Sequence, residues 1–168
     1  MAGPPTLQEW CAMTLSANDQ AALRDLVHRY AARIDDRQFD SIVELFTAAA
    51  ELALPEPPTA LQPIHFHRGH QAIAEAVAAV AAVARTEHAI IGEVFDVGAA
   101  TGTARGRIGC IAHHWTQRAD EVIDVVWHLR YDDEYELADA RWRISRRALT
   151  INAIETRPVR RLRPADPS

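Results

Sequence analysis

The chain has 168 residues, 48% of them hydrophobic and 24% charged, which is the balance of one globular domain with a real core. All 18 basic residues are arginines, so Schiff-base chemistry, a pyridoxal phosphate anchor and a phosphate-loop lysine are excluded. The net charge of −5 argues against nucleic acid as a partner, and two cysteines, Cys11 and Cys110, cannot build a thiolate metal cage and fit a reduced cytoplasm.

Residues 1–15 open with Gly3-Pro4-Pro5 and read as a loosely held arm without a signal peptide. Ser16 and Asp19 have capping-box spacing, with Asn18 as a competing cap. Leu23, Leu26, Val27, Tyr30 and Ile34 then form one apolar stripe of a helix running to about Asp36. A second, shorter helix presents Phe39, Ile42, Val43 and Phe46. Residues 51–54 can form a short strand, ended by the Pro55-Glu56-Pro57-Pro58 turn. Gly69 leads into a third helix with Ile73, Val77, Val80 and Val83 inward. Its Ala/Val-rich stretch is too short to cross a membrane and contains Glu75.

After His88 the period changes to that of strands. Residues 90–97, 103–117, 121–137 and 141–153 read as four long strands separated by hairpin-sized breaks. Helices followed by a meander predict an α+β domain over residues 16–156, with an irregular Arg/Pro-rich tail at 157–168. A strongly curved sheet would leave a pocket between its concave face and the helices.

Eight histidines are many for one domain. His28 lies beside the apolar stripe and reads as structural. His65, His67 and His70 form an H-x-H-x-x-H cluster, but no carboxylate completes a metal pattern, so no metal and no other cofactor is expected. His128 sits mid-strand, where packing and a pocket wall are equally open. Asp35 ends the first helix on the edge of a core-facing stripe, and His88 stands where the chain enters the sheet. A carboxylate that accepts from one ring nitrogen fixes the tautomer and raises the basicity of the other, which makes a general base. A buried structural His–Asp pair is the other reading of the same two residues.

The segments Ile34-Asp35-Asp36-Arg37-Gln38, Thr86-Glu87-His88, Tyr131-Asp132-Asp133-Glu134-Tyr135-Glu136 and Trp142-Arg143-Ile144-Ser145, in that order, resemble the SnoaL-like branch of the nuclear transport factor 2-like superfamily. Within it the similarity is greatest to the scytalone dehydratase and hexachlorocyclohexane dehydrochlorinase groups, over roughly residues 18–155. The resemblance implies a cone-shaped curved sheet, mixed or antiparallel, with N-terminal helices closing a central pocket. It also implies Asp35 and His88 as a catalytic dyad, joined by a second pocket histidine roughly 25 residues after the first. Spacing favours His113 for that role over His114, whose ring must take the opposite face. Tyr131 and Tyr30 fall at positions of pocket side chains. Ile34 stands where the dehydratase pattern has a tyrosine, so that particular reaction is not expected unchanged.

The expected activity is therefore elimination from a small, largely apolar ring compound, with isomerisation by proton transfer as the near rival. A non-catalytic ligand-binding or assembly module is the alternative from another class. The expected partners are a small molecule and further copies of the chain, with neither nucleic acid nor membrane. Outward positions of the long strands still carry large apolar groups, with Val126 or Trp127 among them, so a homo-oligomer is expected. The resemblance implies a trimer rather than a dimer.

Overall fold

The computed structural model describes residues 14–118 and 121–163, so most of the expected arm and the end of the tail lie outside the described residues. Helix α1 (Ala17–Asp35) begins at Ser16, whose hydroxyl oxygen accepts from the Asp19 amide at 3.1 Å and donates to the Asp19 carboxylate at 2.6 Å. The predicted stripe, Leu23, Leu26, Val27, Tyr30 and Ile34, is buried. The helix closes with the Arg37 amide on the Ile34 carbonyl (3.2 Å) and the Gln38 amide on the Arg33 carbonyl (2.8 Å), the paired bonds of a Schellman turn. Helix α2 (Phe39–Ile42) and a 3₁₀ turn at Val43–Leu45 follow.

Phe46, expected on that second helix, instead opens strand β1 (Phe46–Glu56), which the hairpin through residues 57–59 joins to β2 (Ala60–Arg68). The sequence predicts only a four-residue strand here, residues 51–54. Strand β2 is largely exposed, contains Pro63 and lies at the sheet edge, where a strand need not bury a face and a proline is tolerated. Helix α3 (Gly69–Ala78) buries Ile73 and Val77 and runs on as a 3₁₀ turn, Ala79–Ala82.

The remaining strands are β3 (Arg85–Val97), β4 (Thr103–Arg118), β5 (Glu121–Ala138) and β6 (Arg141–Val159). Strand β3 starts five residues before the expected 90, so His88 lies within it. Strand β6 pairs through Val159 with Val122, so residues 157–159 belong to the sheet and not to an irregular tail. The six strands form one curved sheet in the order β2-β1-β6-β5-β4-β3. β1 and β6 run parallel and the other neighbours antiparallel, which makes the sheet mixed. The helices cover one face, and the core of Leu23, Tyr30, Phe46, Ile108, Cys110 and Ile151 fills the space between. Among the described residues, no helix is long and apolar enough to cross a membrane.

Candidate active site

Asp35 is the last residue of α1, and β3 passes beneath it. Its Oδ1 lies 2.7 Å from His88 Nδ1, and its Oδ2 accepts the His88 backbone amide at 2.8 Å. Burial pushes the Asp35 carboxyl up, but the hydrogen bonds and charge of His88 outweigh this and hold its pKa below the usual aspartate value. The carboxylate is therefore ionised and can only accept, so Nδ1 carries a proton, and whenever the ring is neutral the lone pair is on Nε2. The His88 side chain is 8% exposed and Asp35 22%.

His88 lines a cavity of about 370 Å³ between the sheet and helices α1 and α3. Most of its wall is aliphatic or aromatic, including Leu52, Val80, Trp127 and Leu149. The polar side chains in the wall are Tyr30, His88, His114, Thr116 and Tyr131. Such a chamber suits a small, mostly apolar ligand held by a few convergent polar groups. Cys110 faces the core nearby, and burial pushes its thiol up to about 12, so it supplies no thiolate.

The structure reverses the choice between His113 and His114. His114, not His113, lines the cavity, with its ring centroid 6.2 Å from that of His88 and 4.2 Å from that of Trp127. His113 is on the opposite face, where its Nδ1 meets Asp124 at 2.7 Å and its ring stacks on Trp115. The cause is strand parity: His114 pairs with Val125 and His113 with Val126, and on β5 the odd positions Val125, Trp127, Leu129 and Tyr131 line the cavity. The same parity removes His128 from the pocket; its Nε2 lies 2.9 Å from Glu155 and the side chain is 38% exposed. His114 Nδ1 donates to the Val125 carbonyl at 3.1 Å, leaving Nε2 as a lone-pair acceptor. Burial pulls the His114 pKa down to about 4, so this ring is neutral at pH 7.

Tyr30 and Tyr131 both line the cavity, edge to face at 6.0 Å. Beneath them lies a group that sequence reasoning missed. The Arg147 guanidinium sits 4.1 Å from the Tyr30 ring centre and 4.4 Å from that of Tyr131. Arg147 and Asp133 are fully buried and joined by two bonds, 2.9 and 2.6 Å, and Asp133 also accepts from the Tyr135 hydroxyl at 2.6 Å. Burial raises the pKa of both cavity tyrosines, which therefore remain hydroxyl donors. A parity count could have found the pair, because Asp133 interrupts the inward apolar series Leu129, Tyr131, Tyr135 and needs a buried cation.

The histidines of the H-x-H-x-x-H cluster are dispersed: His65 pairs with Glu56 at 3.3 Å, and His70 bonds the Phe46 carbonyl at 3.2 Å. Among the described residues, no three His, Cys, Asp or Glu side chains are grouped to hold a metal.

A family model described as a SnoaL-like domain matches residues 16–148. Among proteins with curated descriptions, none matches the chain. Several solved structures share the fold. One is a candidate scytalone dehydratase from Novosphingobium aromaticivorans, with 17% identity over 90% of this chain and 95% of that one and a TM-score of 0.70. Another is a type 3 hexachlorocyclohexane dehydrochlorinase from Novosphingobium barchaimii, with 18% identity, 89% and 96% coverage and a TM-score of 0.68. A Mycobacterium tuberculosis protein of unknown function matches with 20% identity, 82% and 78% coverage and a TM-score of 0.67.

Proposed function

The chain belongs to the SnoaL-like domain family, and on that footing we propose that it is a cofactor-independent lyase of the dehydratase or dehydrohalogenase type acting on a small, largely apolar ring compound. The observation that carries this reading is the Asp35–His88 pair opening into an apolar cavity. Folds in common with a dehydrochlorinase and a candidate dehydratase support it further.

His88 Nε2 takes a proton from a ring carbon, and Asp35, a positioning residue, stabilises the imidazolium that forms. The C–H electron pair becomes a carbon–carbon double bond as a neighbouring halide or hydroxyl departs. A halide leaves as the anion; a hydroxyl leaves as water after accepting a proton from a cavity tyrosine or from the imidazolium itself. Tyr30 and Tyr131 supply hydroxyl donors toward negative charge developing on the substrate, and His114 Nε2 accepts from a substrate donor. Return of the proton to another carbon would give isomerisation instead, and product analysis separates the two outcomes.

We further propose a homo-oligomer, a trimer rather than a dimer, working in the cytoplasm on a small molecule, without nucleic acid or membrane as a partner. The test is turnover of a panel of hydroxylated and chlorinated alicyclic compounds by the native protein and by His88→Ala. Loss of turnover by about 10³-fold, with ligand affinity nearly kept, fits a general base. Turnover that survives the substitution refutes the role of His88. Ligand binding without turnover of any compound would leave a binding module.

A further inference from the structure

The turn that ends α1 has an unusual occupant. Arg37 takes the left-handed position of the Schellman turn, φ +60°, which glycine normally fills because a side chain there costs on the order of 1 kcal/mol. Backbone stability alone would not select an arginine at this site, so its side chain is where a reason must lie.

That side chain reaches across to the segment after α3. Arg37 donates from one terminal nitrogen to the Val80 carbonyl at 2.9 Å and from the other to the Val83 carbonyl at 3.0 Å. These carbonyls stand at the C-terminal end of the 3₁₀ turn, where a cation is favoured; the Val80 carbonyl also accepts the Val83 amide at 3.2 Å, so Arg37 adds a second bond to it. None of Ala79–Ala82 is fully buried; besides Arg37, the segment is held by Val80, partly buried against the core, and by the Ala84 amide on the Trp115 carbonyl at 2.9 Å. Yet Ala79, Val80 and Val83 form part of the cavity wall. Only Asp36 separates Arg37 from Asp35, so one turn holds both the acid of the dyad and the brace of this part of the wall.

We propose that Arg37 is a latch on the cavity rim, pinning residues 80–83 to the turn that carries Asp35, so that ligands enter and leave when its two bonds open. A fork of two donors is needed to span two carbonyls; a lysine ammonium cannot hold both with the same geometry. The latch requires a cavity ligand but not the elimination reaction, so it stands or falls separately from the proposed activity.

Arg37→Gly is the decisive variant, because it removes the fork while relieving the left-handed backbone. The expected result is a melting temperature equal to or above that of the native protein, with amide hydrogen exchange at residues 80–83 faster by about tenfold or more. Exchange within β5 and the middle of α1 stays unchanged. In stopped-flow mixing with 1-anilinonaphthalene-8-sulfonate as the apolar probe, release becomes faster by a similar factor, and Arg37→Lys falls between the two proteins. A merely structural arginine would move melting and exchange together across the fold. Exchange at residues 80–83 within twofold of the native protein in Arg37→Gly, or dye release that stays at the native rate while exchange quickens, would overturn the proposal.

Discussion

His114 makes the fold acid-sensitive in a calculable way. Its pKa falls from an ordinary 6.5 to about 4 on folding, chiefly because burial disfavours the imidazolium. Between these values the unfolded chain binds a proton that the folded chain refuses, so stability is complete above pH 6.5 and is lost as the pH drops toward 4. With 8% of the residue exposed, solvent screening removes little of the effect. Moving from about pH 7.5 to about pH 4.5 costs roughly 2–3 kcal/mol through this one group. Asp35, whose pKa is lowered from 3.8, adds its own loss only below that range. The assay is urea unfolding followed by tryptophan fluorescence at the two pH values and one protein concentration, for the native chain and His114→Phe. The phenylalanine ring keeps most of the packing beside Trp127 and cannot titrate. The variant should lose about 2–3 kcal/mol less than the native protein over the interval, all other titrations cancelling. Equal losses in the two proteins would mean that His114 is protonated in the folded state and that its ring is not desolvated as the cavity geometry implies.

Where the sequence was legible, the signal was periodic or local. The stripe from Leu23 to Ile34 and the Ser16 cap located α1 because both depend on neighbours three and four residues apart. The long β-branched runs located the meander, and the turn at residues 57–59 fell where prolines marked it. The pairing of Asp35 with His88 was expected, and the structure brings the two together with two hydrogen bonds. What failed was the assignment of faces. On β4 both parities carry apolar groups, Ile111 and Trp115 on one side and Ile108, Cys110 and Ala112 on the other, so alternation alone could not orient His113 and His114. Register against β5 settles it, and register is a long-range property. β2 failed for a different reason, since an edge strand need not bury either face. Val126 shows a further limit: of Val126 and Trp127, between which the sequence does not choose, it is the one that points away from the cavity, yet it is fully buried between its register partners His113 and Glu155, so outward does not mean exposed.

Asp35→Asn should lower kcat by about 10²- to 10⁴-fold on any substrate found, because an amide can donate to Nδ1 and turn the His88 lone pair away from the cavity. A pH–rate profile and kcat within a few-fold of the native enzyme would exclude that role for Asp35. Arg147→Met should destabilise the fold by about 3–5 kcal/mol, since it strands the Asp133 carboxylate in the core, and the double variant Arg147→Met/Asp133→Asn should recover part of the loss. Thermal melting reads both, and an unchanged midpoint in Arg147→Met would show the pair to be hydrated. Because Val126 is buried, it offers no surface for association. Among the described residues, the large exposed apolar groups are Ile91 (65%) and Val94 (61%) on β3, Phe66 (56%) and Ile64 (45%) on β2, and Leu137 (44%) at the end of β5; the first two pairs lie on the opposite edges of the sheet. Two separate patches on one molecule favour head-to-tail contacts, in which the β3 edge of one copy meets the β2 edge of the next, and such contacts close into rings rather than two-fold dimers. For the proposed trimer, light scattering should give a mass near three times 18.7 kDa, with Ile91→Glu and Phe66→Glu each sufficient to disrupt it. A mass near 18.7 kDa at micromolar concentration would show both edges to be solvated and the ring argument to be wrong.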